Sequence, residues 1–326
     1  MAVRPMVCQL KELKKMMTIP LRVGTITGPI YTSIGPNSLV FDIITDLCRQ
    51  LDIPDDYAPA FVLLKRTAKA SVECMEALSQ PYYSVLHGNP SIFLRIAIFP
   101  TPEVVKHLNK KFRLILLEQV QRAIITHIWR VNNEYSLLFS AFYYIITTGT
   151  IPNIKEKHFY SKYVQASAGR FINSDILVRY NDKSLEKMFK HMFSSIIEQG
   201  LAPTPDEAIQ HYFNIVGTSL KQYGYACFHG SVRKFDRMAP ESDTILLLNH
   251  RGILFLNADL SENTGYTFDA LIKVVPGDSQ INLTVLVHNE PKEMILEVDR
   301  VSEIVSFITY FSTAQVPSPY VVDLPI

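Results

Sequence analysis

The sequence predicts an α+β chain of three successive lobes, strand-rich, helical and strand-rich again. Three observations carry this. Residues 19–100 alternate short β-prone runs with one helical pattern, residues 101–222 hold four apolar stripes at helical spacing, and residues 223–315 return to β-prone runs closed by one helix. Residues 1–18 read as a helical or frayed lead-in, and the Pro-rich residues 316–326 as an extended tail.

In the first lobe, Ile19 to Thr27 and Pro29 to Ile34 are broken by the turn pair Gly28-Pro29. Asn37 or Ser38 is placed to cap a helix in which Leu39, Ile43, Leu47 and Leu51 recur, ending before Pro54. The run Phe61 to Arg66, an irregular stretch through PYYSVL, and the run Phe93 to Phe99 follow.

The second lobe predicts helices over Phe112 to Arg130, Tyr135 to Thr148 with Gly149 as its stop, and Leu185 to Glu198 with Gly200 as its stop. A fourth starts at Thr204-Pro205-Asp206-Glu207, a capping box with Pro where no amide partner is needed. Tyr135 to Ile151 carries no charge over 17 residues, but it is short for a bilayer and dotted with Ser, Thr and Tyr. It reads as a buried bundle helix.

In the third lobe, Tyr225 to Val232 leads through the polar loop Arg233 to Asp243 into Thr244 to Leu248 and Ile253 to Leu256, joined by Asn249-His250-Arg251-Gly252. A short polar link ending in Gly between β-prone runs signals a hairpin. Further strands are predicted over Tyr266 to Val275, Ile281 to Val287 and Met294 to Val298. Asp299 is placed to cap the closing helix, Arg300 to Ala314.

Composition narrows the function. Apolar residues at 48% and charged residues at 19% exclude general disorder, and 32 Lys and Arg against 31 Asp and Glu leave no global field for nucleic acid. Cys8, Cys48, Cys74 and Cys227 stand too far apart for a zinc or disulfide pattern, which fits reduced thiols in the cytosol. No nucleophile elbow, zinc-protease helix, phosphate loop or dinucleotide fingerprint is present, and no cofactor is expected. His211 reads as a packed or surface residue and Asp55-Asp56 as a solvated turn.

The junction DEAIQHYFNIVGTSLKQYGYACFHGSV, followed by LLLNHRGILFLN, resembles the boundary between the second and third lobes of a FERM domain, and PYYSVLHGNPSIFLRIAIF resembles the end of its first lobe. The resemblance covers about residues 19–315 and implies a ubiquitin-like lobe, a four-helix lobe like acyl-CoA-binding proteins, and a pleckstrin-homology or phosphotyrosine-binding lobe. It implies a non-catalytic cytoplasmic adaptor, peripheral at membrane or cytoskeleton. Such an adaptor binds the cytoplasmic tail peptide of a membrane protein, anionic phospholipid (a phosphoinositide membrane) and a cytoskeletal protein. The hairpin is also similar to that of FERM lobes in the cargo-binding tails of unconventional myosins. A lipid or acyl carrier is the alternative from another class, favoured by any continuous apolar cavity in the second lobe.

Two surfaces are candidates. On the closing helix, Val301, Ile304, Val305 and Ile308 form one stripe, with Phe307, Phe311 and Ala314 on a flank and Tyr310 further round. Either the core face is wide, or that flank lines a groove with Leu271, Ile272, Lys273, Val274 and Val275 into which a peptide adds as a strand. Talin-like members carry a basic residue and a tryptophan where this chain has Val274 and Val275. The second surface is the loop Arg233, Lys234, Phe235 and Arg237, whose cations suit an anionic membrane and equally a solvated loop. Lys65, Arg66 and Lys69 form a weaker set of the same kind.

Overall fold

The computed structural model describes residues 18–66, 72–88, 90–201, 204–233 and 241–314, without the side chains of 241, 242, 262 and 263. Contacts divide the chain into two compact units, Pro100–Cys227 and the two flanking stretches, which together form the other unit.

The first stretch is a five-stranded sheet crossed by one long helix. Strands β1 (Ile19–Thr25), β2 (Gly28–Ile34), β3 (Phe61–Arg66), β4 (Val72–Cys74) and β5 (Ser91–Ile96) lie in the order β2-β1-β5-β3-β4, with β1 and β5 parallel. Helix α1 (Val40–Gln50) buries Val40, Ile43, Ile44, Leu47 and Cys48. Its cap is not the expected one. Ser38 Oγ accepts from the Gly35 N–H, and Asp42 instead accepts from Leu39 N–H, so the helix begins one residue later than Ser38 would allow. The stretch read as irregular contains β4 and helix α2 (Tyr82–Gly88), none of whose residues is buried. A helix without a buried face carries no periodic signal.

The unit Pro100–Cys227 is helical. It contains α3 (Pro102–Val105), α4 (Lys110–Ile125), α5 (Asn133–Thr148), α6 (Ser174–Arg179), α7 (Asp182–Glu198) and α8 (Pro205–Ser219), with single-turn helical segments over Tyr160–Val164 and Gln165–Arg170. Asn109, Asn132, Asn181 and Thr204 cap the four long helices through side-chain oxygens, the last as expected. Helix α4 stops short of the expected Arg130, because His127 turns the backbone left-handed at φ +59°. Helix α5, uncharged from Tyr135 onward, is buried along most of its length, and no described helix is long and apolar enough to cross a membrane. Rings of Phe112, Phe139, Phe142, Phe189, Phe193, Tyr212 and Phe213 fill the space between the helices, where a carrier would need its cavity.

The last stretch is a seven-stranded sheet, β6 (Ala226–Arg233), β7 (Glu241–Asn249), β8 (Gly252–Leu256), β9 (Glu262–Tyr266), β10 (Leu271–Pro276), β11 (Gln280–Val287) and β12 (Glu290–Glu297), in the order β10-β11-β12-β6-β7-β8-β9. The hairpin link shortens to His250-Arg251, with Asn249 pairing to Gly252 and its side chain accepting from Arg251 N–H. Gly252 is required there: φ is +143°, and a Cβ would stand 2.1 Å from the Tyr266 carbonyl oxygen. The single strand expected over Tyr266 to Val275 is two. A 3₁₀ turn at Phe268–Ala270 lets β9 pair with β8 and β10 with β11, at opposite ends of the sheet.

Helix α9 (Val301–Thr313) packs Val301, Ile304, Phe307, Ile308 and Phe311 into this lobe. Arg300, not Asp299, is its cap residue. Phe307 stacks 5.7 Å from Phe311 and meets Phe228 edge-on at 5.9 Å. Phe307→Ala is therefore expected to cost about 3–5 kcal/mol of stability, the range for large buried rings. The exposed Ser302→Ala should stay within about 0.5 kcal/mol. Paired denaturant titrations check both, and a Phe307→Ala loss no larger than that of Ser302→Ala would refute the core assignment.

Candidate functional site

Strand β10 is the terminal strand of its sheet, so one row of its backbone N–H and C=O groups faces away from β11. The register slips between Leu271 and Lys273, which leaves Ile272 bulged out at 55% exposure. Lys273 is exposed, Val275 is 37% exposed, and Leu271 and Val274 are half-buried. Helix α9 runs beside this strand. The expected strand half of the groove is thus an open, largely apolar edge with one cation.

The helical half is corrected. Phe307 and Phe311 were expected on a flank beside the core; both are buried in it, because the core face, about a third of a turn wide, is rotated toward that flank and leaves Val305 half-buried. Tyr310 is half-buried, and its hydroxyl donates at 3.1 Å to the Pro59 carbonyl oxygen, in the 3₁₀ turn Asp55–Ala60 before β3. Ala314, at the helix end, is half-buried. The flank read as a peptide wall is the one occupied by the first lobe. The Cys74 N–H, on terminal strand β4, donates to Ser306 Oγ at 2.8 Å, and Ser306 Oγ donates to the Glu303 carbonyl oxygen. On the other side of the core face, Thr309 and Ser312 are exposed and Val305 is half-buried. That pattern of small and polar residues carried no apolar signal in the sequence.

Glu303 sits on the covered flank, its side chain 13% exposed and its Oε2 3.3 Å from Arg300 Nη1. Burial pushes its carboxyl above the usual range, against the pull of Arg300, Arg66 and Arg95. The described cations of the membrane sets are engaged. Lys65 lies 3.5 Å from Glu73, Arg66 stands 5.5 Å over the Phe93 ring, and Arg233 pairs with Glu297 at 3.1 Å while Ser231 donates to the same carboxylate. Lys69, Lys234, Phe235 and Arg237 lie outside the described residues.

Among the described residues no His, Cys, Asp and Glu cluster could hold a metal ion. Asp55 is gripped by Arg49, whose guanidinium holds its carboxyl below the usual range, and His211 is half-buried on α8. A shallow hollow of about 310 Å³ opens between His229, Ser279, Gln280 and Asp299 and touches none of the expected site residues.

A five-stranded sheet, a helical unit and a seven-stranded lobe closed by one helix, in that chain order, have counterparts among solved structures. The Drosophila Merlin FERM and C-terminal domain complex matches 90% of this chain and 95% of its own at TM-score 0.67 and 14% identity. This is a FERM fold. The Dictyostelium discoideum myosin VII MyTH4-FERM MF2 domain, mutant 1, matches at TM-score 0.62 and 16% identity over 91% of this chain. The human myosin 7b C-terminal MyTH4-FERM domain, in complex with the harmonin-a PDZ3 domain, matches at 0.64 and 10% over 90%. This chain spans about three-fifths of the length of these two myosin structures, 61% and 60%. By sequence, no family model and no curated protein matches it significantly.

The raised carboxyl of Glu303 has a defined pH signature. A carboxyl that holds its proton more tightly folded than unfolded stabilises the fold as pH falls through the folded value toward the unfolded one. Wild type should therefore gain melting temperature relative to Glu303→Gln as pH falls from 7 toward 4 (roughly the unperturbed carboxylate range). Melting curves at stepped pH test this, and a difference that is flat or grows with pH would contradict it.

Proposed function

We propose that the FERM-fold chain is a protein-binding adaptor module that takes an extended peptide onto the free edge of β10, beside the open flank of α9. The observation that carries this reading is the edge itself. Ile272 and Val275 are exposed on a terminal strand that carries a single cation and has α9 beside it, whereas β4, a terminal strand of the other sheet, is covered by α9. Main-chain hydrogen bonds would supply affinity, and Ile272, Lys273 and Val275 would supply selectivity. The peptide is proposed to be the cytoplasmic tail of a membrane protein, with a link to the cytoskeleton supported by the myosin and Merlin likenesses. The loop Arg233 to Arg237 is the proposed lipid contact of the same module. Phosphoinositide is its proposed ligand.

The reading fixes where variants should act. Immobilised tails of membrane proteins are used to capture the purified chain, and the retained tail is titrated against variants. Ile272→Asp with Thr309→Arg, both at exposed positions, should lower its affinity about tenfold or more, equivalent to about 1.4 kcal/mol, without moving the melting temperature. Unchanged affinity in this variant would place the peptide elsewhere.

A further inference from the structure

At the N-terminal end of helix α1 the first lobe leaves large apolar side chains in water. Phe41 is 40% exposed and Leu78 is 79% exposed. Two backbone hydrogen bonds bring them together: Phe41 N–H donates to the Ala77 carbonyl oxygen and Val40 N–H to that of Ser79, on either side of Leu78. Helix α2 continues this segment, and on it Tyr83 and Leu86, 60% and 48% exposed, share a face at a spacing of three residues. Tyr83 follows Ser79 by four residues, a reach of at most about 14 Å. Exposed apolar residues are ordinary singly, but three within Leu78–Leu86 with Phe41 bonded alongside are a patch.

The chain enters the lobe at the same place. Thr18, just ahead of β1, sits beside the turn into α1: its Cγ2 and Ser38 Oγ lie 3.8 and 3.9 Å from where a Gly35 Cβ would stand. Ser38 is bonded back to Gly35 and precedes Val40 by two residues, so residues 1–17 meet the lobe close to Phe41. Their sequence complements the patch. At 100° per residue, Met6, Leu10, Leu13 and Met17 fall within an arc of about 60°, with Lys11 and Lys15 on the far side and Lys14 at the border. Pro5 stands where a first helical turn tolerates it. A helix over 6–17 is about 18 Å long, enough to span from Leu78 to Tyr83. Asp42 and Glu76, exposed next to Phe41 and Ala77, make no ion pair among the described residues and carry the sign opposite to the lysines.

We propose that residues 6–17 form an amphipathic helix seated on this patch, with the Met and Leu stripe over Phe41 and Leu78 and the lysines near Asp42 and Glu76. An isolated helix of this length is marginal in water, so folding and seating are one event. The two carboxylates repel an anionic bilayer, which disfavours it as the occupant. The covalent tether disfavours a separate partner, because it holds the stripe beside the patch at an effective concentration of about a millimolar. An apolar partner of the first lobe would have to displace the segment first. The seat is separate from the β10 edge and does not rest on the peptide reading.

Zero-length carbodiimide cross-linking with peptide mapping, paired with amide hydrogen exchange, tests this on the full chain. Wild type should give links from Lys11, Lys14 or Lys15 to Asp42 or Glu76, and amides in 8–17 should exchange about tenfold or more slower than in a free peptide of the same sequence. Leu10→Asp with Leu13→Asp should remove both signals. So should Leu78→Asp, while exchange in β1 and β3 stays as in wild type. A mixture of isotopically light and heavy chains identifies the occupant: links within one isotope support the proposal, and links between isotopes, the mark of a second copy, overturn it. Wild-type amides that exchange as fast as the free peptide would also overturn it, as would protection retained in Leu78→Asp or seen only with phosphatidylserine vesicles.

Discussion

The architecture of the two-sheet unit depends on one amphipathic helix buried along two flanks. Through Ile304, Phe307, Ile308 and Phe311, α9 closes the seven-stranded lobe; through Ser306 and Tyr310 it covers the otherwise open β4 edge of the five-stranded lobe. The hydrogen bond from Cys74 N–H to Ser306 Oγ takes the place of the next strand, since a buried edge amide must find a partner. A helix held on two sides has one flank left, and its position is set by both lobes. Any partner beside β10 therefore meets a surface fixed in part by a lobe it does not touch.

Within the helical unit the rings are packed against one another, and buried polar pairs such as Tyr212 with Gln121 and Ser140 with the Phe171 carbonyl lie among them. In the two-sheet unit Asp55, Glu73, Glu297 and Glu303 pair with Arg49, Lys65, Arg233 and Arg300.

Periodicity made most of the fold legible. The four long helices, their Thr204 cap and the Gly149 stop follow from local chemistry, and so does the hairpin at Gly252. What escaped is what local chemistry does not encode. Helix α2 buries nothing and so shows no stripe. The division of β9 from β10 is decided by which neighbour each strand pairs with, a long-range choice hidden in a continuous apolar run. Of the candidate site, β10 was legible as a strand, and the flank of α9 was left open between two readings. An apolar flank on α9 could be core or groove by sequence alone, and Phe228 and the first lobe decide it.

The pairing of Cys74 with Ser306 and of Pro59 with Tyr310 spans 232 and 251 residues of chain. During synthesis the first lobe emerges with β4 uncovered, and its covering helix is made only after the whole helical unit has been translated. Contacts this distant in sequence are slow to form and leave intermediates open to wrong pairing. The brevity of β4, three residues, then acts as protection: it offers too short a template for another nascent chain to extend before α9 arrives.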